Sequence, residues 1–173
     1  MKDYAKGYSH SRDYPKAGKS FGSRMYATLI QKNVYVVTGA PGSGKSHMVN
    51  QNMTKFDIVF DYDRIADAMS PIAGIHGNHM YMKEVLLAVR ETVINCFASR
   101  SGEWHDAYFI TASPNRQQVD QLIKRMNAME LHVNATMEEC IERIRNDESR
   151  QLKARDIKLV REYFLKQNLM QHP

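Results

Sequence analysis

From Asn33 onward, short β-branched runs alternate with longer stretches in which apolar residues recur every three or four positions. Residues 34–38 (VYVVT) form a continuous apolar run that ends in a glycine cluster, which predicts a buried strand and a tight turn. A helix is expected to open at Gly44 and reach about residue 52. A second strand is expected at 57–61, then a helix at 63–69 that Ser70-Pro71 stops. Residues 72–78 carry Gly74 and Gly77 and read as a loop. Val85, Leu86, Val89, Val93, Ile94 and Phe97 predict a long helix over 80–98, ended by Ser101-Gly102. A third strand follows at 107–112, and Ser113-Pro114-Asn115 opens a helix to about 126. A fourth strand is expected at 130–133. Thr136 with Glu139 three positions on is a capping box, opening a helix that places Ile141 and Ile144 inward. Ile157, Val160, Phe164 and Leu165 set out a last amphipathic helix over 154–167.

Strands and helices alternating at these lengths imply a three-layer α/β/α domain around a mainly parallel sheet of about five strands. A length of 173 residues, 43% hydrophobic and 25% charged, suffices for one such domain but not for two. The longest apolar run in any expected helix, 85–89, is far too short for a membrane span. Residues 1–30 hold five or more cations and no apolar core of a secretory leader, so a cytoplasmic protein is expected. Cys96 and Cys140 form no C-x-x-C pair, which argues against a disulfide framework or a zinc knuckle. Met80, Met82, Met126 and Met129 read as core filling. His76 and His79, three apart, lack a third metal ligand nearby.

The charge is concentrated at one end. The chain has 24 Lys plus Arg against 19 Asp plus Glu, a net charge of +5. Residues 1–32 contain seven bases and two acids, 7 − 2 = +5, so the remainder is neutral. The arm over 1–24 also carries Tyr4, Tyr8, Tyr14 and His10, and its apolar content is too low and irregular for a packed element. Cations interleaved with aromatic rings suit contact with a phosphate backbone and stacked bases. A solvated tail has the same composition.

Gly39-Ala40-Pro41-Gly42-Ser43-Gly44-Lys45-Ser46 matches G-x-x-x-x-G-K-[ST] and lies between an expected strand and an expected helix, as the motif requires. Its glycines let backbone N–H groups turn inward around an anion, and the helix N-terminus adds a favourable dipole. The residues placed against a nucleoside triphosphate are therefore 39–46, with His47 next to them. Lys45 would sit on the β- and γ-phosphates and Ser46 on Mg²⁺.

Missing features narrow the chemistry. The third strand ends in Thr-Ala-Ser rather than Asp-Glu, against a motor ATPase, and no Asn-Lys-x-Asp guanine reader occurs. A small kinase needs only the cradle, a residue that directs the acceptor and mobile arginines that cover the transferring group. Asp61 and Asp63 lie at the C-terminal end of the second strand, the sheet edge where open α/β folds place ligands. Asp61, the last strand residue, is the better candidate for the base and also for holding Mg²⁺. Asp63 suits capping the next helix. Arg64 and Arg116 are candidates for the acceptor, and a surface ion pair is the alternative for each. Residues 143–155 carry five cations, as a closing lid would, with Arg143 and Arg150 favoured and Arg145 third.

In order, VYVVTGAPGSGKS, DIVFDYDRIADAM, AYFITASP and LHVNATMEECIERIRNDESR resemble the P-loop kinases typified by viral polynucleotide 5′-kinase and similar ATP-binding proteins of bacterial viruses. The resemblance spans about 33–167, and only the P-loop is individually specific. It implies a P-loop NTPase fold with an Arg-rich helical lid near 143–155 in a domain over 25–173. It also implies ATP with Mg²⁺, and host cytoplasm for a viral protein. In such kinases an Asp-x-x-Arg supplies the base and an arginine for the acceptor's neighbouring phosphate, a spacing that Asp61 and Arg64 match. The intervening Tyr62-Asp63 would let the base shift to Asp63. The expected activity is γ-phosphoryl transfer from ATP to a nucleic-acid 5′-hydroxyl or a nucleotide. The alternatives are a nucleoside or nucleoside-monophosphate kinase, and an ATPase acting as a nucleic-acid-binding accessory. Oligomeric state is left open.

Overall fold

The computed structural model describes residues 31–70, 80–150 and 152–171. The arm over 1–24, the loop over 72–78 and both His76 and His79 lie outside the described residues. Four strands are described: β1 (Asn33–Thr38), β2 (Ile58–Asp61), β3 (Asp106–Ile110) and β4 (Met129–His132). The helices are α1 (Lys45–Asn52), α2 (Tyr62–Met69), α3 (Lys83–Ala98), α4 (Arg116–Met126), α5 (Met137–Asn146) and α6 (Lys153–Gln171), and a 3-10 turn at Met80–Met82 leads into α3.

The strands form one parallel sheet in the order β2-β3-β1-β4. The count among the described residues is four, against the about five expected. β1 reads as a continuous apolar run because both its faces are covered. Val34 and Val36 join Phe60, Ala107 and Phe109 in a core closed by Ile94 and Phe97 of α3 and by Val119, Leu122 and Met126 of α4. On the opposite face Val37, Tyr108 and Ile110 pack with Val49 of α1. A third cluster joins Ala40 to Cys140, Ile141 and Ile144 of α5 and to Val160 and Tyr163 of α6.

At the end of the sheet remote from the glycine cluster, Arg100 ties two helix ends together. Its guanidinium donates to the carbonyls of Phe97 at 2.6 Å, Met126 at 2.8 Å and Asn127 at 2.8 Å. Those groups lie at the C-terminal ends of α3 and α4, where carbonyls lack the next helical turn as a partner, and that of Phe97 also accepts from the Arg100 backbone N–H at 3.2 Å.

Several boundaries differ from expectation for local reasons. Asp57 is not in β2: its Oδ2 accepts from the Thr54 backbone N–H at 2.6 Å, and its Oδ1 accepts from the Asp106 N–H at 3.0 Å. The carboxylate closes a turn and anchors the start of β3. Val85 and Met129 are exposed, not core, at 50% each, because α3 turns Leu86 inward and β4 is an edge strand. No described helix is long and apolar enough to cross a membrane.

Candidate functional site

The glycine-rich loop joins the C-terminal end of β1 to α1. Gly42 has φ +78°, and a Cβ there would lie 2.9 Å from the Cys140 carbonyl oxygen and 3.0 Å from Ile144 Cδ1. Only a residue without a side chain lets the loop pack this closely on α5. Arg143, in the last turn of α5, donates from Nη1 to the Ser43 carbonyl at 2.8 Å, so loop and helix are joined by a hydrogen bond as well. Asn115 caps the start of α4, Asp61 caps the start of α2, and a Thr136–Glu139 capping box opens α5. α1 starts at the left-handed Gly44 with no side-chain cap and no acid in its first turn. Its N-terminal dipole is therefore left for an anion that the chain does not itself supply.

Lys45 is buried and donates to the carbonyls of Gly39 at 2.9 Å and Ala40 at 2.7 Å. Burial pulls its pKa down to about 8, against smaller opposing effects that include Asp61 and Asp63. Ser46 Oγ donates to Asp61 Oδ2 at 2.7 Å, and Asp61 Oδ1 accepts from the Asp63 backbone N–H at 3.2 Å. The cap of α2 is thus Asp61, not Asp63. Asp61 has extended backbone angles at the strand end, which aim its carboxylate back over the first turn. One buried carboxylate links the glycine-rich loop to the C-terminal edge of the sheet.

These groups open on a cleft of about 780 Å³ over the C-terminal ends of β1, β2 and β3. Its charged lining among the described residues is Lys45, Arg64, Lys83, Arg90, Arg143, Arg150 and Arg155 against Asp61, Asp63, Asp147 and Asp156, seven bases to four acids. The structure therefore brings Lys45, Ser46, His47, Asp61, Asp63, Arg64, Arg143 and Arg150 together around one cavity. Of the glycine-rich loop, Pro41, Gly42 and Gly44 also line it while Gly39, Ala40 and Ser43 do not, and two of the predicted arginines are absent as well. Arg116 pairs with Glu130 at 2.7 Å and Asp120 at 2.6 Å and does not line the cleft, the surface ion pair that was the alternative for it. Arg145 is also absent from the lining and exposed, while Arg155 takes part instead.

Residues 143–155 are not one element. Arg143 belongs to α5, whose Ile141 and Ile144 are buried, whereas Arg150 lies in the connection between α5 and α6. Sequence reasoning missed Lys83, Leu87 and Arg90, which share one face of α3 at helical spacing and line the same cleft. The spacing is visible in the sequence. Which helix faces the cleft is not. Arg90 also lies over the Phe109 ring at 5.5 Å, fixed between the core and the cavity.

A parallel sheet in this order, with a glycine-rich loop running from an inner strand into an uncapped helix, defines a P-loop nucleotide-binding fold. No family model matches the chain, and no curated protein sequence matches it. Among solved structures it is similar to the shikimate kinase of Acinetobacter baumannii in complex with shikimate, at 18% identity and a TM-score of 0.45, covering 83% of this chain and 94% of that one. A likeness so distant carries no argument about chemistry. The site's own geometry does.

Proposed function

We propose that the chain is an ATP-dependent phosphotransferase that moves the γ-phosphoryl group to a nucleic-acid 5′-hydroxyl or a nucleotide. The observation that carries this reading is the Ser46–Asp61 hydrogen bond of 2.7 Å at the head of a cleft whose charged lining is mostly cationic. A triphosphate brings about four negative charges, and seven lining bases against four acids suit it. Lys45 would exchange the Gly39 and Ala40 carbonyls for the β- and γ-phosphates, regaining the solvation that burial removes.

A hydroxyl and a carboxylate oxygen form a hard donor pair that fits Mg²⁺, so Ser46 and Asp61 would hold it. No described cluster of three or more His, Cys, Asp or Glu is placed to hold a metal, which agrees with an ion bound chiefly through phosphates and water. When bound, the ion neutralises charge on the phosphates. The acceptor oxygen attacks the γ-phosphorus and the bond to the bridging oxygen breaks. ADP leaves, and Asp61 takes the acceptor's proton. Arg143 and Arg150 cover the developing charge, and Arg64, beside Asp63, meets the acceptor.

The test is a screen of γ-labelled ATP with Mg²⁺ against 5′-hydroxyl oligonucleotides, nucleosides and nucleoside monophosphates. Label on oligonucleotides supports the reading. Label confined to nucleosides or monophosphates moves the protein to the small-molecule kinases. Phosphate release that no acceptor stimulates makes it an ATPase.

A further inference from the structure

A cleft built for a polyanion contains one buried carboxylate that the reaction described above does not use. Asp156, in the first turn of α6, is 9% exposed and lines the same cavity as Lys45. Left alone, it would repel a triphosphate across a medium that screens poorly. Its Oδ2 instead accepts from Arg150 Nη1 at 2.8 Å, while Asp147, the residue that ends α5, accepts from Arg150 Nε at 3.0 Å. Arg150 sits in the connection between those helices, where its backbone N–H donates to the Asp147 carbonyl at 3.3 Å. The two carboxylates come from the two rigid flanks and grip the guanidinium on adjacent edges. Nη2 remains without a partner among the described residues, on a side chain that lines the cleft. Arg150 is also close enough for its charge to be felt at Lys45.

Resting on the phosphotransferase reading, we propose that Asp156 is a positioning residue, which with help from Asp147 holds Arg150 in the orientation that meets the transferring phosphoryl group. The buried acid is retained because a loose arginine must be ordered during each turnover, whereas a gripped one is already in place. The competing arrangement, in which the acids hold Arg150 away from the phosphates, predicts the opposite sign on release.

The experiment uses the full chain, γ-labelled ATP, Mg²⁺ and a 5′-hydroxyl oligonucleotide. Asp156→Asn should lower kcat by about 10-fold to 100-fold while the KM for ATP moves by less than about threefold, the signature of a misplaced group rather than a missing binding group. Asp156→Glu should recover part of the loss. Added to Arg150→Ala, Asp156→Asn should cost less than about twofold more, since nothing is left to position. Asp147→Asn, at a more exposed site, should act in the same direction more weakly. If Asp156→Asn fails to fold, the cycle of Asp147→Asn with Arg150→Ala carries the test. A kcat that stays unchanged or rises in folded Asp156→Asn, or losses that simply add in the cycle, overturn the inference while the wild type still turns over. A wild type that neither binds nor cleaves ATP overturns the phosphotransferase reading and this inference with it.

Discussion

Lys45 carries the clearest trade between stability and function. Its pKa of about 8 lies below the ordinary 10.5, so between those values the unfolded chain holds the proton more tightly. Stability therefore rises as pH climbs from about 8 to 10.5, and below 8 the buried charge is a cost. Lys45→Met should stabilise the nucleotide-free protein at pH 7 by up to about 3 kcal/mol, and the gain should vanish near pH 10.5. Urea titrations at both pH values check this. The same proton governs affinity, because phosphates bind the charged form. Nucleotide affinity should be flat below pH 8 and fall by up to about tenfold per pH unit above it. Asp61→Asn separates scaffold from chemistry. Asparagine caps a helix as well as aspartate does and can still accept from Ser46, so folding should change by less than about 1 kcal/mol. Transfer should fall about 100-fold to 10,000-fold with ATP binding retained, and Asp63→Asn should leave most activity intact. The reverse ranking would make Asp63 the base. The P-loop was legible residue by residue because its motif encodes backbone geometry. Which of Asp61 and Asp63 caps α2 was not, since either type can cap and only the strand-end dihedrals decide.

At the scale of elements, the site depends on how closely the loop meets α5. Gly42→Ala would push a methyl into the Cys140 backbone carbonyl and the Ile144 side chain at a positive φ, and the carbonyl, fixed in α5, has no room to give way. It should destabilise the fold by about 1–3 kcal/mol and weaken nucleotide binding together. Gly44→Ala has only Arg143 Nη1 near its Cβ, at 3.9 Å, so it should cost only the strain of its φ, about 1 kcal/mol. Denaturant midpoints of the two variants, measured with and without ATP, test the difference. The elements themselves were legible because strand and helix periods differ, and every described strand lies within two residues of expectation. Side-chain use at their edges was less so. Asp57 reads as strand but serves a turn, and Met129 reads as core but lies on an open edge. The cleft face of α3 was hidden for a related reason: Lys83, Leu87 and Arg90 look like a solvated helix face until the fold puts α3 beside the cleft.

For the molecule as a whole, charge is divided between a cationic cleft and the N-terminal arm, and the two can be separated experimentally. Removing residues 1–24 takes away Lys2, Lys6, Arg12, Lys16, Lys19 and Arg24 together with Asp3 and Asp13, so the net charge falls from +5 by 6 − 2 = 4 to +1. The loop at 39–46, its uncapped helix and the lining bases of the cleft all lie outside the deletion, so ATP affinity should be unchanged. Oligonucleotide binding should weaken. The slope of its logarithmic affinity against salt should flatten by about 0.7 for each phosphate that the shortened chain no longer neutralises, because each released counterion contributes to that slope. Fluorescence anisotropy of a labelled single strand over a salt series measures both quantities. An unchanged slope would remove the arm from acceptor recognition. The cleft would then have to select its acceptor alone, and a cavity of about 780 Å³ holds a nucleotide rather than a strand.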